Sequence, residues 1–310
     1  MRNAFAQKIT EIGKIDQRVI LLSGDIGNRL FDDFKTAQPE RFLNCGVAEQ
    51  NMTGVAAGLA IGGYRPFTYT IAPFCTTRCL EQIKIDVAYH DVPVTIVSVG
   101  AGLAYAGLGP THHACEDIAF LRAIPNMNVI CPADKWEVRA AVKAVLEQNN
   151  PSYIRLGKKG EPEIHSGEIN DFSIGQGIEV LRGDDVAIIA TGNIVHEALI
   201  SVENLRKKGI SCSLISLHTV KPLDQKLILD VVKKYKLIVS IEEHSVIGGL
   251  GSSISEFLFR HECNNCNFYS LGTPDKFYKE SGSQLHARSV LELDSQNIEK
   301  KIKKLWEKIN

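Results

Sequence analysis

Short runs of β-branched and other apolar residues alternate with longer segments of helical periodicity along almost the whole chain, and this alternation constrains the fold most. Parallel strands need a crossover of a dozen or more residues, usually a helix, so the pattern predicts βαβ units. The expected fold class is α/β, with mostly parallel sheets that carry helices on both faces. Ligands of such sheets bind beyond the carboxyl ends of the strands. The predicted strands lie at 19–23, 94–99, 128–131, 153–156, 186–191, 212–216 and 237–241, and the predicted helices lie near 50–61, 76–89, 114–123, 135–148, 194–207, 223–235 and 251–260.

The alternation is interrupted between residues 157 and 183, where Gly, Pro and charged residues cluster without a long period. This composition predicts a linker. The 310-residue chain then divides into a first domain over 1–156 and a second over 184–310, each of the usual domain size.

The charge balance excludes several classes of partner. Thirty-five Lys and Arg residues against 36 Asp and Glu residues give a net charge of −1, so nothing in the composition points to nucleic acid or to a membrane surface. The stretch from Val92 to Thr111 is uncharged and long enough to span a bilayer. Its two prolines and four glycines instead predict a buried strand followed by a glycine-rich loop.

The N-terminal residues and the cysteines indicate where the protein works. Residues 1–17 have the pattern of an amphipathic helix and not of a signal peptide, so a cytoplasmic location is expected. Eight cysteines are too sparse for a disulfide framework and are expected to be reduced. Cys263 and Cys266 form a CxxC motif, but no second pair at metal spacing accompanies it, and no metal site is predicted in this chain.

The most informative segment is residues 44–60, where Glu49 begins a helix made almost wholly of Gly, Ala and small apolar residues. Such a helix packs closely against its neighbours, so the Glu49 carboxyl is expected to be poorly hydrated. Two interpretations stay open at this point. Glu49 either stabilises the helix N-terminus through the dipole, or shares a proton with a ring nitrogen of a ligand.

Two further clusters follow. Phe74 comes directly after Pro73 at a strand-to-helix corner, where an aromatic face either stacks on a flat ligand or packs in the core. His112 and His113 end the glycine-rich loop just before a predicted helix. Paired histidines there suit proton transfer or phosphate contact, although a solvent-facing pair is equally compatible with the pattern.

Taken in order, these segments resemble the pyrimidine-binding and C-terminal domains of the transketolase family. The resemblance covers nearly the whole chain, with the pyrimidine-binding domain over 1–156 and the C-terminal domain over 184–310. The matching segments are GVAEQNMTGVAAGLA (46–60), TIAPFCTTRCLEQI (70–83), GPTHHACEDIAFLRAIPNMNVICPAD (109–134), SLHTVKPLD (216–224) and IEEHSVIGGLGSSISEFL (241–258).

The resemblance implies a thiamine diphosphate cofactor. Glu49 would hydrogen-bond its aminopyrimidine at ring nitrogen N1′ and would thereby promote removal of the thiazolium C2 proton. Phe74 would stack on the pyrimidine, with Ile71 and Arg78 in the same pocket. Asp25 matches a family acid near the thiazolium side.

The resemblance also implies substrate contacts. His112, with His113 beside it, would contact substrate oxygens, and Arg155 matches a family arginine that binds the acceptor phosphate. Arg29 stands where full-length transketolases have a phosphate-binding serine. Gly100 stands in place of a family His, and Leu108 in place of a family Asp, that contact sugar hydroxyls. An unusual sugar or sugar phosphate is therefore expected in place of the standard pair of substrates.

One family feature has no match. The diphosphate and its Mg²⁺ are held in this family by a GDG motif with a later Asn, whereas this chain offers only Gly24-Asp25-Ile26. A separate N-terminal subunit is therefore expected to carry the diphosphate site and the Mg²⁺ ligands. The expected assembly is an α2β2 heterotetramer with its two sites at the interfaces.

The function expected from the resemblance is transfer of a two-carbon ketol unit from a ketose donor to an aldose acceptor. Three alternatives remain: the β subunit of a 2-oxo acid dehydrogenase, a 1-deoxyxylulose-phosphate synthase, and a non-catalytic regulatory or assembly subunit. The presence of Glu49, Phe74 and His112 argues against a non-catalytic subunit. The polar loop at 111–113 and Arg155 favour a sugar phosphate substrate over a lipoyl arm, which needs no such polar contacts.

Overall fold

A computed structural model describes residues 1–263 and 266–309. The first domain is built on a seven-stranded sheet of order β10-β5-β6-β4-β3-β1-β2. All its neighbouring strands are parallel except β10, which pairs antiparallel with β5. The strands are β1 (Val19–Ser23), β2 (Phe42–Asn44), β3 (Arg65–Ile71), β4 (Thr95–Val99), β5 (Asn128–Ile130), β6 (Ser152–Leu156) and β10 (Thr219–Lys221).

The second domain is built on a five-stranded sheet of order β12-β11-β8-β9-β7. It is parallel except for β7, which pairs antiparallel with β9. The strands are β7 (Ile178–Leu181), β8 (Val186–Thr191), β9 (Cys212–Ser216), β11 (Leu237–Ser245) and β12 (Asn267–Thr273).

Helices connect the parallel strands as the sequence pattern predicts, and the α/β fold class with two mostly parallel sheets is confirmed. The α-helices of the described residues are α1 (Arg2–Ile15), α2 (Asp32–Ala37), α3 (Glu49–Ile61), α4 (Ala72–Cys75), α5 (Leu80–Gln82), α6 (Asp117–Arg122), α7 (Lys135–Leu146), α8 (Val195–Lys207), α9 (Gln225–Lys234), α10 (Leu250–Arg260), α11 (Gln284–Val290) and α12 (Ser295–Ile309).

The first sheet buries apolar side chains on both faces because alternate residues of a strand point to opposite sides. Val19 and Leu21 of β1 pack into one core with α1 and α7, whereas Ile20 and Leu22 pack into the other. That second core continues into the C-terminal domain and includes Ile189. The two domains are therefore joined by a shared apolar core.

Three details differ from the sequence-based expectation. Strand β7 lies within residues 157–183, the stretch predicted as linker, and extends the C-terminal sheet. Strand β10 comes from the second half of the chain yet completes the first sheet. The helix predicted over 76–89 is broken into a 3₁₀ turn at Thr77–Cys79, the short α5 and a π-helix at Ile83–Tyr89.

The parallel strands of the first sheet end at one edge, which positions the candidate site. Ser23 at the end of β1 pairs with Asn44 of β2 and Tyr69 of β3, whereas Ile71, Val99 and Leu156 at the ends of β3, β4 and β6 are in register with one another. The predicted site residues follow these strand ends along the chain. As for membrane insertion, the described helices include none with the length and apolar content that a bilayer span requires.

Candidate active site at the carboxyl edge of the first sheet

Glu49 occupies the first position of α3 and is only 3% exposed. Its backbone carbonyl accepts a hydrogen bond from Thr53 Oγ1, at 2.9 Å, within the first turn. A Cβ atom at Gly24 would lie 3.4 Å from Glu49 Cγ and 3.1 Å from Thr70 Oγ1, so the end of β1 passes close to both side chains. The Glu49 side chain is thus almost excluded from solvent, which agrees with the poor hydration expected from the sequence.

Arg78 joins Glu49 to the aromatic side of the site. Its Nη1 donates to Glu49 Oε2 at 2.8 Å, and its guanidinium carbon lies 4.1 Å from the centroid of the Phe74 ring. Arg78 itself stays 43% exposed on its side chain. A single guanidinium therefore neutralises the buried acid and covers one aromatic face.

His112 approaches the same aromatic ring. The ring centroids of Phe74 and His112 are 5.2 Å apart in an edge-to-face arrangement, and Tyr105 lies 6.1 Å from His112 on another side. His112 Nδ1 is 2.9 Å from the hydroxyl of Thr111. Burial, and to a lesser extent the neighbouring His113, lowers the pKa of His112 below its usual 6.5. The neutral imidazole is therefore favoured, which suits proton exchange with a ligand oxygen.

A cavity of about 730 Å³ lies between Phe74 and Arg78 on one side and the C-terminal domain on the other. Its walls include Phe74, Arg78 and His113 from the first domain and residues 273–278 from the second. His113 is nearly buried, with Nε2 at 3.2 Å from the carbonyl oxygen of Ala106. The structure thus brings Glu49, Phe74, Arg78 and the histidine pair together.

Asp25 and Arg29 line a different cavity of about 650 Å³. Both are exposed, and both have positive φ, 56° and 64°, which is strained for residues other than glycine and is typical of functional loops. Asp25 Oδ1 accepts a hydrogen bond from Asn44 Nδ2 at 2.9 Å. Arg2 of α1 lines the same cavity and was missed by sequence reasoning. The sequence does not indicate that Arg2 lies near Arg29, because the two arginines are far apart along the chain.

Arg155 does not lie where a substrate phosphate could reach it, contrary to the expectation from the resemblance. Its side chain is 2% exposed, and Nε donates to Asp117 Oδ2 at 2.8 Å. Its Nη2 donates to the carbonyl oxygens of Ala114, at 2.6 Å, and Glu243, at 3.1 Å. Burial alone would lower the pKa of Arg155, but the Asp117 carboxylate raises it above its usual value. Arg155 is therefore a buried cation that ties the sheet to the C-terminal domain.

The residues present fit the aminopyrimidine half of thiamine diphosphate. Its ring offers a flat face and a polar edge, and the site offers the Phe74 ring and the enclosed Glu49 carboxylate. The hydroxyl of Thr70, beside Gly24 and Glu49, is buried without a hydrogen-bond partner in the structure. Such a hydroxyl can hydrogen-bond a polar ligand edge.

No metal centre accompanies this site in the part of the chain that the structure describes. Over residues 1–263 and 266–309, three or more His, Cys, Asp or Glu side chains nowhere group closely enough to hold an ion. Cys263 and Cys266 are free thiols, and the intervening Asn264 and Asn265 of the CxxC motif lie outside the described residues.

Family comparisons cover most of the chain. The pyrimidine binding domain of transketolase matches residues 1–161, and the transketolase C-terminal domain matches residues 175–302. The first match alone spans more than half of the 310 residues. The chain belongs to the transketolase family, as the resemblance of its motifs predicts.

Individual relatives extend over nearly the same length. One subunit of the apulose-4-phosphate transketolase of Phocaeicola vulgatus is 35% identical over 276 residues, which are 89% of this chain and 88% of the relative. A subunit of the 6-deoxy-6-sulfo-D-fructose transketolase of Clostridium sp. is 37% identical over 259 residues, 83% of this chain and 80% of the relative. A split-gene transketolase, solved as an inactive β4 tetramer, has a TM-score of 0.88 at 35% identity and covers 98% of this chain and 96% of its own.

Proposed function

We propose that this chain is the pyrimidine-binding and C-terminal subunit of a thiamine diphosphate-dependent transketolase. The enzyme would transfer a two-carbon ketol unit from a ketose donor to an aldose acceptor. The observation that carries the proposal is the Glu49 carboxylate, 3% exposed and linked through Arg78 to the Phe74 ring at the ligand-binding edge of the sheet. A glutamate that only stabilises a helix N-terminus through the dipole does not require burial and a link to an aromatic residue at this edge.

Each residue near this edge then has a role. Thiamine diphosphate, when bound, supplies the carbon nucleophile and the electron sink that ketol transfer requires. Glu49 would hold a proton at ring nitrogen N1′, and Phe74, with Ile71 at the end of β3, would hold the pyrimidine in place. His112 would exchange a proton with a substrate oxygen, since its pKa is lowered and the edge of Phe74 orients its ring.

A partner chain would complete the site. The diphosphate and Mg²⁺ would be bound by an N-terminal transketolase subunit, because this chain has no GDG motif with a later Asn. The naming of two relatives as transketolase subunits, and the description of the solved β4 tetramer as inactive, support this division. The working assembly would be an α2β2 heterotetramer with sites at the subunit interfaces.

The substrate would be a sugar with an anionic group and an unusual carbon skeleton. Arg2 and Arg29 line the cavity beside Asp25 and would bind a phosphate or a sulfonate by charge-assisted hydrogen bonds. Gly100 and Leu108 do not offer the hydroxyl contacts of the standard family sites. Relatives named for apulose-4-phosphate and for a sulfonated deoxyfructose fit this substrate class.

The test reconstitutes the chain with the product of a neighbouring gene, thiamine diphosphate and Mg²⁺, and screens ketose donors and aldose acceptors by mass. Two-carbon transfer is expected, and Glu49→Gln should reduce kcat by about 10² to 10⁴ with a smaller effect on cofactor affinity. Glu203→Gln, at an exposed position of α8, is the matched control and should leave kcat unchanged.

The other outcomes point to other enzymes. Release of CO2 from a 2-oxo acid with acyl transfer would identify a dehydrogenase subunit, and condensation of pyruvate with an aldose phosphate would identify a deoxyxylulose-phosphate synthase. Turnover that is unaffected by Glu49→Gln would support a non-catalytic role for this chain.

A further inference from the structure

Arg78 contacts both groups that the proposed function assigns to the aminopyrimidine. Its Nη1 donates to Glu49 Oε2 at 2.8 Å, and its guanidinium carbon lies 4.1 Å above the ring centroid of Phe74. A planar guanidinium over an aromatic ring takes the position that a second flat group would need on that face. The same side chain thus occupies a polar contact and a stacking contact of one ligand.

We propose that Arg78 is a displaceable occupant of the pyrimidine pocket, which competes with the cofactor ring for Glu49 and Phe74. This inference rests on the proposed function, and it differs from the simpler expectation that Arg78 helps to bind the cofactor. In this account the guanidinium must turn away before the aminopyrimidine reaches either group.

The surroundings of Arg78 allow this movement while its backbone stays in place. Gln50 Nε2 of α3 donates to the Arg78 carbonyl oxygen at 3.0 Å, which fixes the main chain beside Glu49. The side chain is 43% exposed and lines the interdomain cavity of about 730 Å³, so the guanidinium has solvent and space to move into. A rotamer change of one long side chain is then sufficient.

The competition has a structural reason. A carboxylate that is 3% exposed is costly without a counter-charge, and Arg78 supplies one. When a ligand needs the contacts that another group occupies, its apparent Kd rises by the reciprocal of the competent fraction. Arg78 therefore stabilises the fold around Glu49 and weakens cofactor binding at the same time.

The first experiment uses the chain alone. A double-mutant cycle compares Arg78→Ala, Glu49→Gln and the double variant by denaturant unfolding. Arg78→Ala should increase the equilibrium constant of unfolding by about fivefold in the wild-type background. Its effect should be smaller once Glu49 is Gln, because only the contact with Phe74 is then lost. Equal effects in both backgrounds would show that Arg78 does not hold Glu49 and would overturn the inference.

The second experiment measures thiamine diphosphate affinity by calorimetry in the reconstituted complex with Mg²⁺. Arg78→Ala should bind the cofactor roughly fivefold more tightly than wild type. Arg182→Ala, which removes an equal charge from an exposed position, should not change affinity. If Arg78→Ala fails to fold, Arg78→Gln replaces it, because glutamine fills part of the same space but lacks the charge and the planar guanidinium that covers Phe74.

The outcomes separate this inference from the proposed function. If the wild type binds thiamine diphosphate and the Arg78 variant binds it equally tightly or more weakly, Arg78 does not compete with the cofactor. The transketolase proposal would then still stand. A wild-type complex that does not bind thiamine diphosphate would refute the proposed function and this inference with it.

Discussion

Arg155 and Asp117 form an ion pair enclosed between the first sheet and the C-terminal domain. Both residues are 2% exposed, and Tyr153 adds a hydrogen bond of 2.6 Å to the same Asp117 oxygen. Removing one member of a buried pair leaves an uncompensated charge, which costs far more than the net value of the pair. Replacing either residue of this pair alone should therefore lower the stability of the chain.

We expect Asp117→Asn to lower the free energy of unfolding by about 3–5 kcal/mol, because asparagine retains the shape but leaves the Arg155 charge unpaired. Urea denaturation measures the change. Asp171→Asn removes an exposed carboxylate and should lower stability by less than about 0.5 kcal/mol. A similar small effect of Asp117→Asn would contradict the buried-charge interpretation of Arg155.

His112 should determine the acid limb of activity in the reconstituted enzyme. Because burial and His113 lower its pKa, the ring stays neutral below pH 6.5 and takes up a proton only at more acidic pH. We expect kcat/KM of the wild type to stay constant as pH falls through 6.5 and to decline at more acidic pH. His112→Gln should have a lower kcat/KM that does not decline over that acidic range. His90→Gln, at an exposed position, should retain the wild-type profile.

At the scale of elements, the segment that leads out of the first domain is held along α7. Asp134 Oδ2 accepts hydrogen bonds of 2.8 Å from the backbone amides of Ile164 and His165. His165 Nε2 lies 2.9 Å from Glu137 Oε1, and Lys135 pairs with Glu163 at 2.5 Å. The interdomain segment is therefore docked on the first domain over this stretch.

This docking should depend on pH. Burial opposes protonation, but the hydrogen bond to Glu137 raises the pKa of His165, and the same bond lowers that of Glu137 against the effect of burial. The stabilisation is complete below the unfolded value of 6.5 and is lost as pH rises through the raised pKa. Limited proteolysis of the segment should accelerate over that range in wild type. In His165→Gln, cleavage should be fast at every pH, with no step.

The elements that the sequence predicts are those with strong local signals. The short segments rich in β-branched and apolar residues at 186–191 and 212–216 form strands with the predicted bounds. Strand β3 was placed before Phe74 only by the strand-to-helix corner and was given no bounds, since Arg65 and Pro66 at its start are untypical of a buried strand. Strand β10 was missed because three residues carry no periodicity and its partner β5 lies far away in sequence.

The same limit applies to the site. A helix of small residues that begins with an acid was enough to single out Glu49, and the His loop singled out His112. The Glu49–Arg78 pair joins residues 29 apart in sequence on two elements, so no spacing rule predicts it. An arginine within the apolar run YIRL indicates a buried ion pair once Asp117 is known to lie beside it, but the sequence alone does not place Asp117 there.

At the scale of the whole molecule, Glu243 of β11 connects the two domains. It accepts a hydrogen bond from the backbone amide of Leu103 in the glycine-rich loop at 2.6 Å, and others from Gln284 and Arg288 of α11. Arg288 also reaches Glu197 of α8. One buried carboxylate therefore anchors the loop that carries His112 to the C-terminal domain.

We expect Glu243→Ala to destabilise the chain by about 3–5 kcal/mol, since Arg288 and the Leu103 amide would lose a buried partner. Scanning calorimetry would record a lower Tm. Glu256→Ala breaks the half-exposed interdomain pair with Arg122 and is the control, with an expected loss below about 1 kcal/mol. Equal effects of both variants would argue against Glu243 as the main connection.

Strand β10 also sets the order in which the protein can mature during synthesis. Thr219 pairs with Ile130, so the first sheet waits for residues that the ribosome adds long after its other strands. Until they emerge, the backbone edge of β5 is unpaired and able to join another nascent chain. The first sheet is consequently complete only after Lys221 has been synthesised, when β7, β8 and β9 of the second sheet have already been made.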